Sequence, residues 1–315
     1  MLNRRHIRIK ILHALYAYEQ SEDSTVARAE KELFYSIKKM YEMYLFLMLL
    51  MVELRSIAEQ RIEEGKKKRL PSEEDLNPNL KFVENRFLKQ LDQNKDLSAI
   101  SKKEGVNWGG EPELLRRLFK MIVDTPEYRD YMQSDENSYE KDREVVLRLF
   151  KRHLINHESL QEFFEEKSIF WADDLDLVAS MVLKTFKSFS EDSDEFHPLL
   201  PLWKDPEDEL EFVKVLFRKT ITQGKEHLKM IKDNADNWEI ERIALMDILL
   251  MKMALTEARE FKQIPVKVSL NEYIEISKYY STPKSNNFIN GVLDKLFAKL
   301  KEDGTIKKVG RGLIS

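Results

Sequence analysis

The sequence contains no cysteine among its 315 residues, and it has only nine glycines and nine prolines. Without cysteine, disulfides and thiolate zinc sites are excluded, and a reducing cytoplasm is a compatible location. The scarcity of glycine and proline argues against a turn-rich β fold and favours long helices. The longest apolar run, Tyr44 to Val52, has nine residues. Because a membrane-spanning helix needs about 20, we expect a buried helix there and no membrane partner.

A large excess of positive charge is also missing, because the formal net charge is −4 at pH 7. Charged residues make up 34% of the chain and hydrophobic residues 42%. This composition supplies enough apolar material for a packed core beneath a charged surface. Any nucleic-acid site must therefore be a local basic patch and not the whole surface.

Motifs for nucleotide binding and covalent catalysis are absent from the sequence. It contains neither a glycine-rich phosphate loop nor a Gly-x-Ser-x-Gly elbow. His153 and His157 are spaced for one helix face, but no third metal ligand accompanies them. We therefore expect no enzymatic activity, no cofactor and no metal site.

The first segment of the chain reads as a basic amphipathic helix over residues 3–20. Apolar residues recur there at helical spacing, and the positive end of the helix dipole adds to the attraction of nearby cations for anions. The basic residues of this segment are Arg4, Arg5, Arg8 and Lys10. Because arginines near a terminus are more often simply solvated, this pattern alone is a weak indication of RNA binding.

The middle of the chain reads as helices joined by polar connections. A long helix is predicted from about Val26 to about Glu64, and the basic run Lys66–Arg69 follows it. That run either complements the dipole at the end of the helix or makes a second phosphate contact, and the first reading is favoured. Residues Asn94–Pro112 contain several glycines and are expected to form a loop.

Two features suggest how the middle region is organised. The acidic, proline-containing stretch Ser188–Pro206 indicates a subdomain boundary. Apolar positions and a tryptophan also repeat at an offset of 67 residues, which pairs Trp171 with Trp238. This repetition suggests a degenerate duplication of a helix–turn–helix core, although amphipathic helices agree in part by chance.

Two more helices are predicted near the C-terminal end. Pro265 breaks the chain, and Ser269 with Glu272 three residues later forms the pattern of a capping box. A helix is therefore expected to begin at Leu270. Thr282-Pro283 supplies a hydroxyl cap and a first-turn proline for the next helix.

Asn290 and Gly291 lie inside that last helix, although both residue types are poor helix formers. A glycine in a helix interior costs about 1 kcal/mol relative to alanine. We therefore expect another backbone to approach Gly291 closely, with Asn290 hydrogen-bonded to a neighbouring loop.

The C-terminal motifs resemble the signature of the NusB family of bacterial transcription antitermination factors. The segments that carry the resemblance are Asp247–Glu257, Pro265–Glu272, Ile274–Lys278 and Phe288–Asp294, approached by Trp238–Met246. Near the start, Arg4-Arg5-x-x-Arg8 followed by Ala14-Leu15-Tyr16 is similar to the basic first helix of the family. The resemblance is specific because the motifs occur in the order and spacing of the family, but it does not cover the middle of the chain.

This resemblance implies an all-α fold, a NusB-like helical bundle enlarged by a helical insertion. We expect a basic N-terminal helix in residues 1–24 and an expanded helical region, with the candidate repeat, in residues 25–200. A NusB-like domain is expected in residues 206–303, followed by a basic tail in residues 304–315. Within this tail, Lys307–Arg311 is expected to be disordered, with an additional RNA contact as the alternative.

The family binds the single-stranded boxA element of nascent ribosomal RNA together with NusE, a ribosomal protein of the small subunit. The complex joins the RNA polymerase antitermination complex and prevents premature termination. The resemblance therefore implies a cytoplasmic RNA-binding factor without covalent chemistry. One alternative is a protein–protein scaffold that kept the helices but not RNA binding. Another is a fusion to an RNA methyltransferase, for which only about ten residues remain after the last predicted helix.

Single-stranded RNA is held by cations along its backbone and by aromatic or apolar faces under its bases. We predict phosphate contacts from Arg4, Arg5 and Arg8, with weaker contributions from Lys10 and Lys284. Tyr16 and Phe288 match positions of the family and could stack on bases, although burial in the core is the more common fate of such residues. The residues assigned to the architecture are Asn271, Glu272, Asn290 and Gly291.

Overall fold

The computed structural model describes residues 2–171, 173–235 and 243–313, and the regular structure in these ranges is helical throughout. This confirms the all-α class. Contacts divide the chain into two units, one made of Met1–Ile37 with Trp203–Ser315 and the other of Lys38–Leu202. Trp238, one half of the tryptophan pair in the candidate duplication, lies outside the described residues. No helix in the described ranges is both long and apolar enough to cross a membrane.

The helices are numbered in chain order. The first unit contains α1 (Arg4–Gln20) and the start of α2 (Val26–Lys66), and α2 continues into the second unit. The remaining α-helices are α3 (Glu73–Leu76), α4 (Arg86–Gln93), α5 (Lys95–Glu104), α6 (Pro112–Val123), α7 (Pro126–Gln133), α8 (Tyr139–Leu149), α9 (Glu158–Lys167), α10 (Leu175–Ser188), α11 (Pro206–Thr222), α12 (Gly224–Asn234), α13 (Leu245–Glu260), α14 (Val266–Tyr280) and α15 (Ser285–Glu302). A π-helical turn follows α8, and short 3₁₀ turns occupy Ile169–Trp171 and Gly310–Leu313.

The second unit contains one confirmed prediction and one that is wrong. Helix α2 matches the long helix expected from the periodicity. The loop expected over Asn94–Pro112 is wrong for its first part, which forms α5, and agrees with the structure only over residues 105–111. The side chain of Asn94 caps α5 by accepting a hydrogen bond from the Leu97 N–H at 2.8 Å. Gly105 ends the helix in the left-handed conformation, with φ of +69°.

Aromatic side chains form much of the core of the second unit. The Phe46 ring lies 5.3 Å from the ring of Trp108 and 5.9 Å from that of Trp171, in edge-to-face arrangements. Trp108 also donates its indole N–H to the Phe46 carbonyl oxygen at 2.9 Å. Burial of these large rings, with the indole N–H of Trp108 hydrogen-bonded, stabilises the unit.

The basic run Lys66–Arg69 begins at the last residue of α2. Within it, Lys66 pairs with Glu63 at 3.0 Å and Lys68 with Asp75 at 2.7 Å.

Helix α1 forms because its start is capped and one of its faces is apolar. The side chain of Asn3 accepts a hydrogen bond from the His6 N–H at 3.0 Å, which satisfies one of the free donors in the first turn. Ile7, Ile11 and Leu15 recur every four residues and are buried. This face anchors α1 in the first unit.

Polar contacts fix the direction of α1 relative to its neighbours. Arg5 and His13 of α1 meet Glu272 and Tyr280 of α14, with the His13 and Tyr280 rings 5.0 Å apart. Both pairs keep the same offset along the chain, so α1 and α14 run in the same direction. Further along α1, Glu19 pairs with Lys252 of α13 at 3.2 Å.

The capping box expected at Ser269 and Glu272 is wrong. Helix α14 begins at Val266 with Pro265 at its cap, so Ser269 lies inside the first turns of the helix. The Ser269 hydroxyl instead donates a hydrogen bond to the buried Glu257 carboxylate at 2.7 Å. Glu272 is bound by Arg5. A long-range demand for hydrogen-bond donors therefore overrides the local capping pattern.

Two expectations for α15 also fail. The helix begins at Ser285 and not directly after Thr282-Pro283, and the Ser285 hydroxyl donates to Asp247 at 2.7 Å. Gly291 is exposed, and within the described ranges no atom lies within 4 Å of the position that a Cβ would take there. The expected close approach of another backbone is thus not found among the described residues, and nothing in the described structure explains this glycine.

Residues 304–313 of the C-terminal tail pack against the rest of the first unit, which differs from the expected disorder. The Val309 N–H donates to the Lys262 carbonyl oxygen at 3.0 Å, and the Lys308 ammonium donates to the Phe261 carbonyl oxygen at 2.9 Å. A Cβ at Gly312 would lie 2.0 Å from the Lys262 oxygen, so only glycine fits there. The tail is thereby fixed against the loop between α13 and α14.

The buried histidine of α12 generates a prediction about pH. His227 is fully buried, and its Nε2 accepts a hydrogen bond from Arg259 at 3.2 Å. Burial, reinforced by the charges of Arg259 and Lys252, lowers the pKa of His227 to about 4. The unfolded chain takes up this proton near its ordinary pKa of about 6.5, so the folded state loses stability as the pH falls from about 6.5 to about 4.

We expect His227→Gln to remove this pH dependence. Relative to the variant, the wild type should lose about 3 kcal/mol of unfolding free energy between pH 7 and pH 4, at about 1.4 kcal/mol per pKa unit. Urea denaturation across this range measures the difference. Parallel pH profiles for the two proteins would show that His227 is not held neutral in the fold.

Candidate nucleic-acid interface

A groove of about 1190 Å³ lies at the N-terminal end of α1. Its lining includes Arg4 at the start of α1, Asp208 in the first turn of α11 and Pro265 at the cap of α14. Three helices therefore begin at this groove. The first turn of a helix leaves N–H groups unpaired and carries partial positive charge, which favours anions. Here this applies to the start of α14, which has no side-chain cap, whereas α1 is capped by Asn3 and α11 by Asp205.

Arg4 lies at the edge of the groove in a partly open position. Its side chain is 30% exposed and forms an ion pair with Asp208 of α11. The guanidinium carbon stacks 3.9 Å from the centre of the Phe212 ring, which is the geometry of a cation–π contact. Its Nη1 atom is buried without an acceptor among the described residues. Arg4 therefore keeps unused hydrogen-bonding capacity beside the groove.

Arg5 points into the groove from the adjacent position on α1. Its Nε and Nη2 atoms donate to the two carboxylate oxygens of Glu272 at 2.9 and 2.7 Å. The Arg5 side chain is 46% exposed. These hydrogen bonds from Arg5 lower the pKa of the Glu272 carboxyl, against a smaller opposing effect of burial. The pair is a bidentate surface ion pair with one open edge.

Arg8 lies in the core and not on an exposed cationic edge as expected. Its side chain is 3% exposed, and it donates two hydrogen bonds of 2.7 Å to Glu257, whose side chain is fully buried. Ser269 and Tyr273 donate to the same carboxylate at 2.7 and 2.9 Å. Burial, with the Glu257 charge, raises the pKa of Tyr273. Arg8 therefore joins α1 to α13 and α14, with little surface left for a phosphate.

The other predicted RNA contacts do not gather at this groove. Lys10 is buried, whereas Tyr16 is 38% exposed on α1 and escapes the burial that is more common for such residues. Lys284 and Phe288 line a separate open cavity of about 500 Å³ that also includes Gly291. The structure thus brings Arg4 and Arg5 together and places Lys284 and Phe288 elsewhere on the first unit.

The residues assigned to the architecture differ in their surroundings. Glu272 is half-buried and holds Arg5, whereas Asn271 and Gly291 are exposed and Asn290 is half-buried. The carboxylates that bind the arginines, Asp208 and Glu257, were not predicted as part of the site. For Glu257 a signal was present, because an acidic residue within a largely apolar helix requires a partner when it is buried.

The charge of the chain is divided unevenly between the two units. Residues Lys38–Leu202 contain 26 Lys and Arg against 33 Asp and Glu, a net charge of −7. The remainder contains 26 against 23, a net charge of +3. The overall value of −4 therefore conceals a unit that is weakly basic and carries the groove.

Metal-binding geometry was not found in the part of the chain that the structure describes. No three His, Asp or Glu side chains come together there as ligands. His153, one of the two histidines with helical spacing, instead lies 2.9 Å from a carboxylate oxygen of Glu127.

Comparisons with known proteins confirm the family resemblance. The NusB family profile matches residues 181–298. The transcription antitermination protein NusB of Salinibacter ruber is 47% identical over 115 residues, which are 36% of this chain and 71% of that protein. The protein of the same name from Clostridium botulinum is 35% identical over 157 residues, 50% of this chain and 96% of that one.

A third NusB protein, from Chloroherpeton thalassium, is 48% identical over 84 residues, which are 27% of this chain and 40% of that protein. No solved structure matches the chain.

The two ion pairs of Arg8 and Arg5 predict very different effects on stability. Glu257→Gln leaves the buried Arg8 charge without its partner, and we expect a loss of about 3–5 kcal/mol in the free energy of unfolding. Glu272→Gln disrupts a half-exposed pair, in which the Arg5 side chain is 46% exposed and the Glu272 side chain 21% exposed, with Arg8 a second partner at 3.7 Å, and should cost about 1 kcal/mol. Urea denaturation of both variants at pH 7 makes the comparison. Similar small losses in the two variants would contradict the assignment of Arg8 and Glu257 as a buried structural pair.

Proposed function

Since this chain belongs to the NusB family, we propose that it acts in transcription antitermination by binding single-stranded, boxA-like ribosomal RNA together with NusE. In this role it would work in the cytoplasm as a component of the RNA polymerase antitermination complex. Factors of this family act without enzymatic chemistry, by binding alone.

The observation that supports the proposal is the groove at the start of α1. Arg4 and Arg5 border it with guanidinium edges in reach of solvent, and three helices begin there. RNA phosphates are anions that such cations, and the uncapped N–H groups at the start of α14, attract. The location on the net positive unit adds a long-range attraction that the whole-chain charge would hide.

The strength of each ion pair decides which arginines can exchange a carboxylate for a phosphate. Arg4 and Arg5 are paired in exposed or half-exposed surroundings, where such pairs contribute about 0–1 kcal/mol. A phosphate can therefore replace Asp208 or Glu272 at little cost. Breaking the buried Arg8 pair would cost about 3–5 kcal/mol. We accordingly propose Arg4 and Arg5 as phosphate contacts and Arg8 as the residue that holds their helix in place.

The exposed aromatic ring of α1 is the proposed stacking surface. Tyr16 lies three turns beyond Arg4 and Arg5 on the same helix and is 38% exposed. Stacking of a base on an aromatic ring contributes about 1–3 kcal/mol and tolerates any base. We also propose Lys284 and Phe288 as a second region of RNA contact. A single-stranded RNA that extends beyond the groove would reach it.

A scaffold without RNA binding is the second candidate, and one observation favours it. All three arginines of α1 are already paired with carboxylates of the chain itself. If those pairs persist in the presence of RNA, the groove offers less positive charge than the sequence suggests. Binding experiments with RNA separate the two candidates.

We expect the double variant Arg4→Ala with Arg5→Ala to bind single-stranded boxA-like RNA more weakly than the wild type. Loss of two phosphate contacts should make the slope of log K against log salt less negative by about 1.4 and reduce affinity about tenfold at 0.1 M salt. Fluorescence anisotropy of a labelled 12-nucleotide RNA, with and without NusE, measures both quantities.

Arg28→Ala is the matched control for this variant. Arg28 is exposed and forms an ion pair with Glu32 in the same unit, but it does not border the groove. Its replacement should leave the salt slope unchanged. A wild-type protein that shows no salt-sensitive RNA affinity, alone or with NusE, would refute the proposal and favour the scaffold.

A further inference from the structure

The groove has a second wall that the helix α1 does not supply. This wall consists of the loop between α13 and α14 and the C-terminal tail, which contribute Phe261, Lys262, Val309 and Arg311 to the lining. None of these residues belongs to the basic first helix, on which most of the expected RNA contacts were placed. The wall therefore raises the question of what its two cations bind.

The wall is built by backbone contacts and not by flexible side chains. The Val309 N–H donates to the Lys262 carbonyl oxygen, and the Gly312 N–H donates to the Val309 carbonyl oxygen at 2.9 Å. Gly312 is buried at a point where any side chain would collide with the Lys262 backbone. These contacts hold residues 262 and 311 on the same side of the groove, although 48 residues separate them in the chain.

Lys262 and Arg311 differ from the arginines of α1 in one decisive respect. Both are exposed, and neither forms an ion pair or side-chain hydrogen bond within residues 2–171, 173–235 and 243–313. Arg4 and Arg5, by contrast, must first give up Asp208 and Glu272. The charges of Lys262 and Arg311 are thus the ones at this groove that an incoming anion meets without competition from a carboxylate of the chain.

Apolar surface accompanies these two cations. Val309 of the tail and Val268 of α14 both line the groove, and each is nearly half exposed although its side chain is apolar. Single-stranded nucleic acid combines a charged backbone with flat apolar bases, and sites for it pair cations with apolar surfaces. A free inorganic anion would use the cations but would gain nothing from the valines.

We propose that Lys262 and Arg311, held in place by the ordered tail, form the first phosphate-binding pair of the groove for single-stranded RNA. Val268 and Val309 provide the surface against which a ribose or base rests. This inference rests on the proposed RNA-binding function and assigns to the tail a role in it. Arg4 and Arg5 then complete the site after their carboxylates are displaced.

The test is an RNA titration of the full-length variant Lys262→Gln with Arg311→Gln, alone and with NusE. With a 12-nucleotide boxA-like single strand, the salt slope should become less negative by about 1.4, and each single variant should account for about half of this change. Because both side chains are exposed and make no ion pair or side-chain hydrogen bond among the described residues, thermal unfolding should be unchanged. The charge-preserving variant Lys262→Arg with Arg311→Lys should retain the wild-type slope.

The matched control also removes two positive charges, but from residues outside the groove. Lys225 and Lys229 are exposed on α12 and have no ion pair in the described part of the chain, so Lys225→Gln with Lys229→Gln should leave the slope unchanged. An equal change in this control would show a general charge effect and overturn the inference. The inference is also overturned if Lys262→Gln with Arg311→Gln binds RNA with the same salt slope as the wild type. A wild type that binds no RNA overturns the proposed function and this inference together.

Discussion

The buried ion pair between Arg8 and Glu257 is the interaction on which the first unit depends. Four hydrogen bonds converge on one carboxylate, two from Arg8 and one each from Ser269 and Tyr273. They connect α1 to the consecutive helices α13 and α14, which lie more than 200 residues further along the chain. Burying a charge is costly unless every donor and acceptor is satisfied, so the four partners must assemble together. Helix α1 is therefore held in one position, and with it the arginines beside Arg8.

This constraint divides three neighbouring arginines into two kinds. The Arg8 guanidinium forms its ion pair inside the protein. Arg4 and Arg5 form their ion pairs at the surface, where water weakens the attraction between the charges. The distinction follows from helical geometry, because Arg8 shares the buried face with Ile7, Ile11 and Leu15. Three arginines that are close in sequence therefore have different roles. Arg8 holds α1 in place, and Arg4 and Arg5 are the proposed contacts with phosphate.

Sequence patterns predicted the helices well where the pattern is local and long. The apolar periodicity of α2 gave its length, and the C-terminal motifs gave the family. Prediction failed where a distant partner decides the outcome. Ser269 has the surroundings of a helix cap, but Glu257 recruits its hydroxyl from another helix. The short helix α5 was missed because its cap Asn94 and its terminating Gly105 resemble loop residues when the intervening helix is brief.

The same limit applies to the site. The sequence shows that Arg4, Arg5 and Arg8 lie near one another, but it does not show which carboxylates they meet, since Asp208 lies 204 residues away and Glu257 lies 249 residues away. The tail was expected to be disordered. Its glycine instead permits a close backbone approach that a composition-based reading does not detect.

The tail also has a consequence for how this groove can change over evolutionary time. A side chain at position 312 would collide with the Lys262 carbonyl oxygen, so the backbone can follow this path only with glycine there. The neighbouring residue Arg311 is exposed to solvent. A single nucleotide change at codon 311 can therefore alter the charge of the groove without disturbing the path of the chain. Selection acting on ligand affinity and selection acting on folding fall on adjacent but independent residues.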